Sequence, residues 1–162
     1  MPILTDPDFN RHSIAAVDFE KAIEFATAAQ KHPANSVEYE ALLFAAVVCY
    51  VRPFSSNEQS SDAPAASRLS AAAIDGLSEP ERQLHDKCCV LRNKALAHSE
   101  FALNPTRLDS ATGVAMSRPS SLLTPPFDLV GFIGLAETLR VLCQRNRAEY
   151  VLSQRRLSGN LQ

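Results

Sequence analysis

An all-α fold, a small up-and-down helical bundle of about four main helices, is predicted by three observations. Hydrophobic residues make up 46% of 162 positions, enough for one core, and only 5 glycines are available for the tight turns of a β barrel or sandwich. Apolar residues recur every three to five positions over long stretches free of Gly and Pro. Helix-start signals stand in front of those stretches. The length suits a single domain over 1–162.

The first helix is expected over about Asp8 to Gln30, where Ile14, Val17, Ala22, Phe25 and Ala26 share a face and "KHPANS" ends the pattern. Asn35, with Glu38 three residues later, predicts a capping box for a second helix that is apolar all round in its second half, runs to about Val51 and is stopped by Pro53. Its run "ALLFAAVVCYV" is about half of the roughly 20 residues that span a bilayer, so no membrane association is expected.

From Pro53 to Gly76 the composition shifts to "SSNEQSSDAPAASRLSAAAIDG", short polar residues and Ala that bury little. This 53–76 segment predicts a mobile loop with one helical turn at Leu69 to Ile74. Ser78 with Glu81 forms the next capping box, Pro80 is tolerated in the first turn, and the third helix covers about Glu79 to Glu100. The 104–121 segment is either a loop or a short β-hairpin insert, with Arg107 to Ser110 and Val114 to Ser117 flanking a turn at Thr112-Gly113. Thr124 followed by two prolines starts a fourth helix that reaches Ser153 or beyond. Gly131 and Gly134 in it either admit a neighbouring backbone or are merely tolerated. The second and fourth helices are expected to be the most buried.

Charge narrows the functions. A net charge of -2 and a pI near 6.1 argue against binding nucleic acid through bulk positive charge. The basic end of the last helix, Arg140, Arg145, Arg147, Arg155 and Arg156 against Glu149, reads as a solvated face. The cysteines, Cys49, Cys88, Cys89 and Cys143, lie in helical stretches, and adjacent cysteines rarely bond each other. Reduced thiols and a cytoplasmic location are expected. "MPILTDPDFNRH" has no basic n-region followed by an apolar run, so no signal peptide is visible.

The chemistry concentrates in "CCVLRNKALAHSEF", Cys88 to Phe101. On an ideal α-helix Arg92 and His98 stand roughly 120° apart around the axis and about 9 Å along it. They flank an apolar seam of Leu84, Cys88, Leu91 and Ala95. Two such helices packed antiparallel about a twofold would bring both pairs together at the seam.

The stretch "LRNKALAHSE" resembles the signature helix of the HEPN superfamily, in which Arg, often followed by a polar residue, precedes His by four to six intervening residues. The match covers Arg92, Asn93 and His98, and beyond them only the plan of a small helical bundle. The resemblance implies a metal-independent endoribonuclease with a composite site across a homodimer, built through the helix 79–100 and leaving 2',3'-cyclic phosphate ends. Relatives of this kind serve as toxins or in phage defence, which implies RNA as substrate and an antitoxin as a further partner. In that chemistry His98 is the general base or acid, Arg92 holds the phosphate and Asn93 orients the histidine. The alternative is a non-catalytic HEPN-like module that binds a nucleotide or a protein.

A purely structural role is equally open for the pair, with Arg92 paired to Glu81 or Asp86 and His98 capping helix carbonyls. His85, seven residues before Arg92 and so on nearly the same face, is an auxiliary candidate for the same groove. Arg52 faces either that groove or solvent. His85 with Cys88 and Cys89 could be drawn as metal ligands, but no second ligand pair exists, so buried thiols and a surface histidine are expected and no metal or cofactor is assigned. His12 and His32 read as solvated.

Overall fold

The structure, a computed structural model, describes residues 7–34, 36–56, 68–96, 106–108, 111–112, 115–117 and 127–159. Within these it is predominantly helical. Helix α1 spans Pro7–Ala29, α2 Val37–Val51 with a 3-10 turn at Arg52–Phe54, α3 Ala72–Asp75, α4 Glu79–Val90 continued by a π-helical segment Leu91–Leu96, and α5 Leu129–Gly159. Two short strands, β1 Thr106–Leu108 and β2 Ala115–Ser117, pair antiparallel with Arg107 opposite Met116. No helix among the described residues is long and apolar enough to cross a membrane.

Alanine makes α1 the element on which the others pack. Ala15, Ala22, Ala26 and Ala29 are completely buried along it, with Phe19 between them, and such short side chains let α2 and α5 approach closely. Phe9 of α1 meets Tyr150 of α5, and His12 meets Asn146, so α1 and α5 run antiparallel. The sequence points instead to the second and fourth helices as the most buried. The difference arises because alanine carries little hydrophobic signal of its own, while a face of alanines buries completely against two neighbours.

The helix starts follow local hydrogen bonding. Ser36 caps α2, its Oγ accepting from the Tyr39 backbone N–H at 3.1 Å, so the expected Asn35 and Glu38 box is displaced by one residue; Asn35 itself lies outside the described residues. Ser78 and Glu81 form the capping box at the start of α4, with Glu81 accepting from the Ser78 backbone N–H at 2.9 Å and, besides the box, from its hydroxyl at 2.6 Å. Helix α5 begins at Leu129, later than the Thr124 and prolines suggest, with the Asp128 carboxylate accepting from the Gly131 N–H at 2.8 Å.

Part of the predicted loop belongs to the core. Pro53, Leu69, Ala73 and Leu77 are buried, and the Leu69 N–H donates to the Pro53 carbonyl at 2.7 Å, which ties the two ends of the segment together. The helical turn falls at Ala72–Asp75. Residues 57–67, where a mobile loop is expected, lie outside the described residues.

The two glycines of α5 have different environments. A Cβ added at Gly131 would collide with the capping Asp128 carboxylate, whereas one at Gly134 meets nothing within 4 Å. Gly134→Ala should therefore stabilise the fold by about 0.5–1 kcal/mol, the helix-propensity gain alone. Gly131→Ala should give little or nothing, because moving the carboxylate loses a cap of similar size. Denaturant midpoints of the two variants check the contrast.

Candidate functional site

The segment that carries Arg92 and Asn93 is not α-helical. Over Leu91–Leu96 the backbone bonds i to i+5, a widened helix that turns less per residue, and such segments occur frequently at functional sites. The 120° separation of Arg92 and His98 assumes an ideal α-helix, and that premise fails through these residues. His98 lies outside the described residues, as do the side chains of 94–96.

Arg92 is half-buried and Asn93 exposed, and the Arg92 Nη1 donates to Asn93 Oδ1 at 2.9 Å. This bond between chain neighbours holds the guanidinium along the surface and leaves its remaining donors for another acceptor. Of the seam residues, Cys88 is fully buried while Leu84 and Leu91 are half-buried against the core.

Beneath this surface lies a polar core. His85 is buried, only 5% exposed, which corrects its reading as a surface side chain lining a groove. Its Nδ1 is 2.9 Å from the Tyr50 hydroxyl of α2 and its Nε2 3.6 Å from Cys89 Sγ. Two proton arrangements satisfy the three groups. Either the Tyr50 hydroxyl donates to Nδ1 and Nε2–H points to the sulfur, or Nδ1–H donates to the Tyr50 oxygen and the thiol donates to Nε2. In both the imidazole is neutral and both of its nitrogens are engaged.

Burial enforces that neutrality. It lowers the His85 pKa below the ordinary histidine value, against a small opposing pull from Asp86. It raises the Tyr50 hydroxyl and the Cys88 thiol well above their usual ranges. Cys89 is pushed up to about 11, by burial first and then by the Asp86 charge, with nearby Arg92 acting in the opposite direction. These thiols are protonated at neutral pH and are not activated nucleophiles. All four cysteines are free, and no group of three or more His, Cys, Asp or Glu suited to a metal occurs among the described residues.

Arg52 has a different partner from Arg92. Its Nη1 lies 3.3 Å from Asp18 on α1, and its side chain stays 56% exposed over that carboxylate. Asp18 also faces the buried Arg11 at 3.9 Å, so two arginines bracket one buried acid. Burial still dominates there, raising the Asp18 pKa and lowering that of Arg11. His12 is likewise half-buried beside Asn146 and its pKa is lowered by burial, which corrects its reading as solvated; His32 is exposed.

Sequence reasoning misses the Tyr50 and His85 pair and the buried Arg11 and Asp18. A signal exists for the second, since Arg11 and Asp18 are seven apart on the face that carries Ala15 and Ala22. None exists for the first, whose members are 35 residues apart. No known protein family, curated protein or solved structure matches the chain.

A histidine whose folded pKa lies below its unfolded value near 6.5 contributes its full stability above that pH. Below it the unfolded chain takes up the proton first, and stability falls on acidification. Urea midpoints at pH 7.5 and 5.5 should therefore drop more for the wild type than for His85→Asn, with His12 acting equally in both. Tyr50→Phe, which strips the imidazole of its partner, should cost about 1–3 kcal/mol at pH 7.5 in the same assay.

Proposed function

We propose that the chain is a HEPN-like helical domain of up-and-down plan that acts as a metal-independent endoribonuclease in the cytoplasm, as a homodimer through the helix 79–100, in the manner of a toxin or phage-defence component. The observation that carries the reading is the hydrogen bond of Arg92 to Asn93 within a π-helical segment that continues α4, the helix anchored by the buried His85 and Tyr50 pair. A planar guanidinium held at the surface by one neighbour, with further donors free to turn outward, suits a phosphodiester.

In this reading His98 takes the proton of a ribose 2'-OH or gives one to the leaving 5' oxygen, and Arg92 offsets the charge that develops on the phosphorane. The 2' oxygen attacks the adjacent phosphorus, the bond to the 5' oxygen breaks, and a 2',3'-cyclic phosphate and a 5'-hydroxyl result. His85 takes no part in the proton transfers, because both of its nitrogens are engaged and its neutral form is enforced. It acts as the anchor of the segment. Arg52 is assigned no step either.

Incubation of the purified protein with end-labelled RNA in EDTA tests the reading. Cleavage with cyclic phosphate ends is expected from the wild type, about 10²–10⁴-fold less from His98→Ala and a comparable loss from Arg92→Ala, with DNA of the same sequence intact. Equal rates in wild type and variants, or no cleavage over a panel of RNAs, would leave the non-catalytic binding module in its place.

A further inference from the structure

The outer face of α5, opposite the buried face it turns to α1, carries a line of apolar side chains that the fold covers only in part, with α3 beside Val141 and Phe9 beside Leu152. Val130, Val141 and Leu152 are 73%, 50% and 51% exposed. They are spaced by eleven residues, about three helical turns, and so stand in line, with Gly134 and Ala148 between them on the same face. Beside the middle of this line α5 and α3 leave a groove of about 640 Å³, whose lining includes Ala73, Leu77, Val141 and Leu142 together with Glu137 and Arg145.

The charges beside the line select its occupant. An RNA or other polyanion would meet Glu137 and Glu149 as well as the arginines, and a strongly cationic partner would meet Arg145 and Arg155. A surface of mixed sign is suited by another that carries the same charges in reverse order. We propose that this face is a self-association surface on which α5 of a second copy of the chain lies antiparallel, about a twofold axis at the level of Asn146 and Arg147.

That one register pairs the apolar positions 141 and 152 and the flanking charges together, while Val130, at the start of α5, lies beyond the contact. Val141 meets the partner's Leu152 on either side of the axis, and close to the axis the small Ala148 meets the long stem of the partner's Arg145. On one flank Arg145 reaches the partner's Glu149, and on the other Glu137 reaches the partner's Arg155. In antiparallel helices like flanks face each other, so each contact is made twice. Within one chain Arg145 and Glu149 are only loosely paired, at 3.9 Å, and are free to exchange partners. Glu137 already holds Arg140 at 2.6 and 2.8 Å, and its side chain is 46% exposed towards a second cation. Helix α4 meets α5 nearer its start, with Lys87 over the Phe127 ring and Glu81 beside Thr138, and supplies no residue to this register. The α5 surface therefore does not depend on the ribonuclease reading.

Site-specific crosslinking tests the register. Val141→Cys and Leu152→Cys proteins, mixed and mildly oxidised, should give a covalent dimer, whereas either alone should not, because positions 141 and 141 of the two chains lie about 16 Å apart in this arrangement. The wild type, with its native thiols, serves as the control. Sedimentation at rising concentration should show association weakened at least tenfold in Leu152→Glu, an exposed position where the fold tolerates charge, with an unchanged helical spectrum as the check. Crosslinking of Val141→Cys alone, no mixed crosslink, or equal association of wild type and Leu152→Glu would each overturn the proposal.

Discussion

Tyr50 is the residue around which the other elements are arranged. Its ring is fully buried and lies within 6 Å of Phe19 on α1, Phe54 in the 3-10 turn, His85 on α4 and Phe132 on α5, so a single side chain touches a ring from each neighbouring element. Tilted and edge-on ring pairs of this kind add about 0.5–1.5 kcal/mol each beyond the area they bury. The hydroxyl gives the cluster its specificity. A buried phenol needs a hydrogen-bond partner, His85 supplies it among the described residues, and the imidazole in turn reaches Cys89. The position of α4 against α2 is thereby constrained by bond geometry as well as by packing.

A second constraint acts at the other side of α2. Asp18, bracketed by Arg11 and Arg52, joins α1 to the end of α2 through charge. Two cations around one buried acid do not form a strong bridge: the Arg11 contact is long, and burial penalises both charged partners. Its value lies in registry, since a slip of α1 along α2 would strand a charge in the alanine interface. The short side chains of α1 permit close approach at many registers, and the arginines with Asp18 select one.

Regular α-helix gives way directly after the polar core. Helix α4 is anchored by His85 and Cys88, and directly after it the backbone widens into the π-helical turn that carries Arg92 and Asn93. Burial keeps the imidazole, the thiols and the hydroxyl of the polar core neutral. The ring contacts and hydrogen bond of His85 thus fix the helix that leads into this irregular surface segment.

How much of this was legible in the chain can be argued from particular residues. The helical class, the Ser78 and Glu81 box, the free cysteines and the approximate spans of α1, α2 and α5 follow from periodicity and capping chemistry, which act over three or four residues. Ser36 caps α2 through the Tyr39 N–H, one residue beyond the Asn35 that the capping pattern singles out. Leu69, Ala73 and Leu77 sit in a segment too polar to announce burial, and become core only when the Pro53 carbonyl brings them in. The burial of His85 was not legible: it stands between Leu84 and Asp86, and the Tyr50 hydroxyl that partners its Nδ1 lies far away along the chain. Sequence by itself thus determined the helices and the presence of Arg92, Asn93 and His98 in order. Tertiary structure decided which polar groups lie inside and where the α4 helix widens, because those depend on hydrogen-bond partners and packing surfaces that meet only when distant segments come together.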